Sequence, residues 1–227
     1  MKKLVLLIVV VFCVVGFSFN ASAQTPPLID REVIFGNPEY AGAQISPDGK
    51  YISFIKPYKD TMNVWVKGVD EPFSAARPMT ADTARPVRSY FWSRDGKYIL
   101  FVQDKGGDEN FNVYAVNPVD KPATGSDVPA ARNITDAKGV RAMIQAVPDS
   151  DPDAIYVGLN ERDKAWHDLY KVKISTGERT LISENRDRYQ GMIFDNADKL
   201  RLATRAAQNG DTEILKIGAD GKATKIY

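Results

Sequence analysis

A turn-and-strand unit recurs along this chain, and the recurrence limits the fold more than any other feature. From Trp92 to Pro118 the order is turn, strand, turn, strand. Asp95-Gly96 is a tight-turn pair, because Gly accepts the positive φ such turns need. Tyr98–Val102 is β-branched and aromatic with no helical period, and Phe111–Val116 alternates as a half-buried strand does. Pro118 ends the unit, since Pro cannot donate to a ladder. The same unit stands upstream at Ile45–Ile55, with Asn63–Lys67 as its returning strand, and the two Asp-Gly pairs lie 47 residues apart. A period of roughly 40–50 residues with four strands per repeat predicts a β-propeller.

The unit spreads along the chain as blades. Pro57–Thr61 is expected to be the first hairpin loop, and Met79-Thr80 and Asn133-Ile134-Thr135 the short strands closing two blades. A looser third repeat runs from Met143 through Ala154–Leu159, Leu169–Ile174 and Arg179–Ile182. A fourth holds Leu200–Ala203 and Glu213–Ile217, with Ala223–Tyr227 as a closing strand. Matching Phe54, Phe101, Val157 and Leu202 gives spacings of 47, 56 and 45. The expected class is all-β: a partial propeller of about four blades over residues 39–227, read as part of a larger one because propellers need closure to remove their sheet edges. An open arc leaves terminal faces bare, so Leu200, Leu202, Ile214 and Ile217 are expected to meet water, and the third and fourth repeats to be less protected than the second.

The N-terminal residues read as a targeting segment. Lys2-Lys3, the apolar run Leu4–Phe17 and Ala21-Ser22-Ala23 form a secretory signal peptide over residues 1–23, cleaved between Ala23 and Gln24. The run is shorter than the ~20 residues a membrane span needs, so no stable anchor is expected after cleavage. The processed chain would be periplasmic or secreted, with 204 residues, no Cys and a charge of −1. Residues 24–38 read as a linker with a short helix, Asp30 as N-cap and Gly36 as C-cap. The full chain carries a net charge of +1, which gives no reason to expect nucleic acid as a partner. One His and one Cys give no basis for a Cys/His metal cluster, and no cofactor is expected.

Ser46–Phe54 looks like the repeat of TolB-like propellers. A longer combination is narrower: Phe35–Glu39, Asn63–Val66, Tyr90–Trp92, Gln103-Asp104 with Gly107–Asn110, and His167–Lys171. Together these resemble the N-terminal propeller of secreted bacterial serine peptidases of the prolyl oligopeptidase family, of acylaminoacyl-peptidase or dipeptidyl-aminopeptidase type. The resemblance covers about residues 28–217. It implies a propeller capping a C-terminal α/β-hydrolase domain that carries a Ser-Asp-His triad and cuts short peptides. The chain departs from the whole family pattern at that domain: it has no G-x-S-x-G elbow. His167 lies within a blade hairpin, where a strand-end His bonding locally is expected rather than a triad member. No catalytic residue is assigned.

The candidate substrate contacts are Asp108, Glu109 and Arg88. Asp104, Asp108 and Glu109 gather in one loop, where a carboxylate can pair with a peptide's free amino terminus. The competing reading is a solvated acidic hairpin, or Glu109 paired internally with an Arg such as Arg88. Asp149, Asp151 and Asp153 mimic a calcium loop, but Ala154 and Asn160 stand where Gly and Glu are required. Trp65, Trp92 and Trp166 could stack on a ligand, but Trp65 and Trp92 lie in or beside strands of matching pattern and are expected in the packing between blades. The expected function is the substrate-gating propeller of a secreted serine peptidase, its partners being the hydrolase domain and the peptide. The alternative is a free-standing TolB-like, protein-binding module of the periplasm.

Overall fold

A computed structural model describes residues 26–227; the expected signal peptide and the Ala23–Gln24 cleavage point lie outside the described residues. One unit ends at Gly36 and contains helix α1 (Arg31–Phe35). Asp30 caps it, its Oδ1 accepting from the Glu32 N–H at 3.0 Å. Gly36 donates back to the Glu32 carbonyl, but with φ −66°, so the helix ends in an extended residue rather than a left-handed one. Glycine is still needed there: a Cβ would lie 2.4 Å from that carbonyl oxygen.

The second unit, Asn37–Tyr227, consists of four four-stranded antiparallel meanders. The first blade is β1 (Ala41–Ile45), β2 (Tyr51–Tyr58), β3 (Thr61–Gly68) and β4 (Arg77–Pro78). The second is β5 (Tyr90–Trp92), β6 (Ile99–Gln103), β7 (Asn112–Val116) and β8 (Arg132–Asn133). The third is β9 (Ala142–Ala146), β10 (Ala154–Asp163), β11 (Trp166–Lys173) and β12 (Arg179–Ser183). The fourth is β13 (Gly191–Phe194), β14 (Leu200–Ala206), β15 (Thr212–Ile217) and β16 (Ala223–Lys225).

The repeated turn has one chemistry. In blade one Ser46 Oγ donates to Asp48 Oδ1 at 2.7 Å and accepts from the Tyr51 N–H at 2.9 Å. In blade two Ser93, Asp95 and Tyr98 repeat this at 2.7 and 3.0 Å. Gly49 and Gly96 supply the positive φ of 72° and 70°. The first hairpin is tighter than the expected Pro57–Thr61 loop. Lys59 and Asp60, both at positive φ, make a two-residue turn, and Pro57 pairs with Met62 inside the ladder. β1 pairs only as far as Ile55, so the N–H that Pro57 lacks is not required on that side. The closing strands end two residues earlier than Met79-Thr80 because a side chain replaces the ladder: Thr80 Oγ1 takes the Val64 N–H at 2.9 Å, as Thr135 Oγ1 takes that of Val113.

Period-2 alternation fills both faces of blade two. Ile99, Phe101 and Val116 pack with Ile55, Val64, Val66 and Met79 of blade one. Leu100, Val113 and Ala115 pack with Ile155, Val157, Leu159 and Val172 of blade three. A strand buried on both faces reads as an uninterrupted apolar run, as Tyr98–Val102 does. The first seam also carries polar ties: Tyr90 Oη donates to the Gly42 carbonyl at 2.7 Å, and burial pushes that phenol up to about 12.

Two expectations are corrected in blade four. The position equivalent to Phe101 and Val157, two residues before the rungs Gln103↔Asn112 and Leu159↔Asp168, is Ala203 rather than Leu202, since Arg205 pairs with Glu213. Ala203 is accordingly buried and Leu202 half-buried. Nor do Leu200, Ile214 and Ile217 carry the exposed face: Ile217 is buried, the other two are half-buried, and Ile193, Ile226, Leu181 and Ile182 are exposed instead. The third blade shares a full core with the second and is exposed along its last strand, β12, which carries Leu181 and Ile182.

Candidate functional site

Antiparallel strands put alternate connections at opposite ends of a blade. The β2–β3 and β6–β7 hairpins therefore share an end with the β4-to-β5 connection, Met79–Ser89. The polar residues of blade two converge at that end. Arg85 forks onto Asp104, with Nη2 2.9 Å from both carboxylate oxygens and Nε 3.2 Å from Oδ1. The Asp104 side chain is 2% exposed, so this pair is largely desolvated on the acid side. Asp82 holds the Arg85 backbone: its Oδ1 accepts from Arg85 N at 2.6 Å, and its Oδ2 from Gln103 Nε2 at 2.9 Å.

The ion pair forms a wall between two cavities. One, of about 550 Å³, has an apolar floor that includes Met79, Phe101 and Tyr114, with Asp82 and Gln103 at its polar side. Its two rings stack at 5.3 Å. The other, of about 370 Å³, is lined by Arg88, Ser89, Glu109 and Phe111 beside the Arg85–Asp104 pair. The structure thus brings Arg88 and Glu109 to one cavity, while among the described ion pairs neither is joined to the other. Asp104 takes the internal arginine, and that arginine is Arg85 rather than Arg88. Asp108 is engaged by its own loop: the Asn110 amide, the Asn110 N–H and the Lys105 N–H hold its carboxyl below the usual range. Glu109 stands at φ +57°, where a non-glycine residue is strained, and its N–H reaches Asp104 Oδ2 at 3.3 Å.

The other candidates have different placements. Asp149 pairs with Arg94, Asp151 with Lys171, and Asp153 accepts from Ser175, so the three carboxylates diverge. Trp92 is buried in the first seam and Trp65 half-buried, its Nε1 donating to the Lys56 carbonyl. His167 does not bond locally through Nε2; that atom is buried without a hydrogen-bond partner. Among the described residues no group of His, Cys, Asp and Glu is placed to hold a metal, and no helix is long and apolar enough to cross a membrane. Sequence reading missed Arg85 and Asp82, which lie in the Ala81–Pro86 stretch between repeats; the visible signal was the Gln103-Asp104 pair they serve.

No family model matches the chain. Over 199 residues, 88% of its length, it is 42% identical to dipeptidyl aminopeptidase BIII of Pseudoxanthomonas mexicana. This chain is a homologue, over its propeller sequence, of dipeptidyl aminopeptidase and prolyl oligopeptidase-family peptidases. The dipeptidyl peptidase family member 6 of Caenorhabditis elegans is 31% identical over 185 residues. The chain spans 28% and 24% of those two relatives' lengths. The same fold occurs in prolyl oligopeptidases: prolyl oligopeptidase B from Galerina marginata superposes with a TM-score of 0.56 at 14% identity, over 82% of this chain and 27% of that one. A solved prolyl endopeptidase gives 0.54 at 16% identity, over 82% of this chain and 26% of that one.

Proposed function

We propose that this propeller portion gates substrate access to the hydrolase domain of an exported serine peptidase that cuts short peptides. The observation that carries the reading is the shared cavity of Arg88 and Glu109, walled by the Arg85–Asp104 pair. A carboxylate there, exposed and free of an internal cation, suits a peptide's protonated amino terminus, and Arg88 suits a carbonyl or carboxylate further along. The strained φ of Glu109 fits a position kept for its side chain. Export rests on Lys2-Lys3, the Leu4–Phe17 run and the Ala21–Ala23 site. A docking domain would also account for the helix segment, where Leu28, Val33 and Phe35 are 99%, 79% and 79% exposed.

The test uses the full-length peptidase with Glu109→Gln. KM for dipeptidyl-nitroanilides with a free amino terminus should rise about tenfold, the worth of ~1.4 kcal/mol. N-acetylated analogues should be unaffected. Equal effects on both substrates, or none, would remove Glu109 from substrate binding.

A further inference from the structure

The seam between blades three and four differs from the other two. It begins with Tyr156 stacked on Phe194, ring centroids 5.0 Å apart and nearly parallel. Since Ile144 packs toward blade two, its neighbours Met143 and Gln145 on β9 face blade four. Since Phe194 faces blade three, so does Met192 two residues before it on β13. Beyond the ring stack these side chains leave a cavity of about 260 Å³ lined by Met143, Gln145, Trp166, His167, Gln190 and Met192.

Four features make this a built crevice. His167 is the chain's one histidine, and its Nε2 is buried without a partner. Gly158 makes room for it: a Cβ there would lie 2.9 Å from His167 Cβ and 3.1 Å from Gln145 Nε2. Two of the four methionines among the described residues line it. The loop bearing its rim is fixed, with Asn185 N donating to Asp168 Oδ1 at 2.7 Å, Asn185 Oδ1 accepting from Tyr189 N at 2.7 Å, and Gln190 N bonded to the Thr204 carbonyl.

We propose that this crevice is a site for one soft monovalent cation, Cu(I) or Ag(I), held by the Met143 and Met192 thioethers and His167 Nε2. Thioether and imidazole donors select soft ions, and the Trp166 face can add a cation–π contact. The lining contains no carboxylate or thiolate, which disfavours calcium, magnesium and zinc. A methionine pair split between blades three and four has no spacing in the sequence to recognise.

The experiment titrates Ag(I) into the full chain carrying Cys13→Ser, which removes the one competing thiol, in chloride-free buffer. Isothermal titration should give one equivalent bound at sub-micromolar Kd. The ¹³C-methyl signals of Met143 and Met192 should shift while those of Met62 and Met79 stay. Met143→Leu with Met192→Leu, close in volume, should weaken binding about 100-fold at unchanged circular dichroism, and His167→Gln about tenfold. Zn(II) in excess should not compete. Absence of saturable binding by folded protein, shifts at Met62 or Met79 instead, undiminished affinity in the folded variants, or displacement by Zn(II) would each overturn the site.

Discussion

Arg85 grips Asp104 with two nitrogens, and the pair separates an apolar cavity from one that is open to Arg88 and Glu109. Arg85→Ala would leave a carboxylate that is 2% exposed with little beyond the Glu109 N–H as partner. Because Arg85 itself is 41% exposed, the expected loss is about 1–3 kcal/mol, below that of a fully buried pair. Arg85→Lys should recover under half of it, since an ammonium cannot reproduce the fork. Urea unfolding of the three proteins measures this; an unchanged midpoint in Arg85→Ala would mean the pair is structurally silent.

Trp92 ties the second blade to the first through Nε1–H to Ser53 Oγ at 2.8 Å, both residues being buried. Ser53→Ala strands the indole N–H and should cost about 1–3 kcal/mol. Adding Trp92→Phe should then cost clearly less than it does alone, because the orphaned donor is gone. Additive losses in the double-mutant cycle would show that the two side chains do not act together.

Asp168 gives blade three an acid-sensitive tie. Burial raises its pKa, but the Arg162 side chain at 2.6 Å and the Asn185 N–H outweigh that and hold it below the ordinary value. A depressed folded-state pKa contributes stability above the unfolded value, about 3.9, and loses it as pH falls through the folded one. Thermal unfolding of wild type against Asp168→Asn should show a gap at pH 7, about 1–3 kcal/mol in size, that narrows as pH falls below about 3.9 and is gone below the folded-state value. A gap independent of pH would place the effect in packing rather than charge.

Blade four should be the first to open. Its buried apolar residues are only Ala203, Leu215 and Ile217, against the shared cores of blades one to three. Native-state hydrogen exchange should give amides of β14 and β15 protection well below those of β6, β7, β10 and β11. The 227-residue chain should also self-associate at micromolar concentration through exposed residues such as Ile193 and Ile226. Equal protection in all four blades, with a sharp monomer by light scattering, would contradict this.

The blade repeat and its turns were legible in the sequence because their causes are local. Asp48-Gly49 and Asp95-Gly96 form their turns from hydrogen bonds spanning five residues, and a strand buried on both faces writes its burial directly into Tyr98–Val102. Even the closing strands were found to within two residues. Register in the looser repeats was not legible, because a one-residue slip changes nothing local; only the Arg205–Glu213 rung places Ala203, and not Leu202, in the core. The candidate site was half legible. The acidic loop announced itself by composition, but Asp108 turned into the loop, Glu109 turned out beside Arg88, and Arg85 came from the connection between blades to take Asp104. The His167 crevice left no trace in the sequence at all, since Met143 and Met192 stand 49 residues apart. Contacts between blades join residues whose separation follows from how the sheets stack, so only the tertiary structure could bring them together.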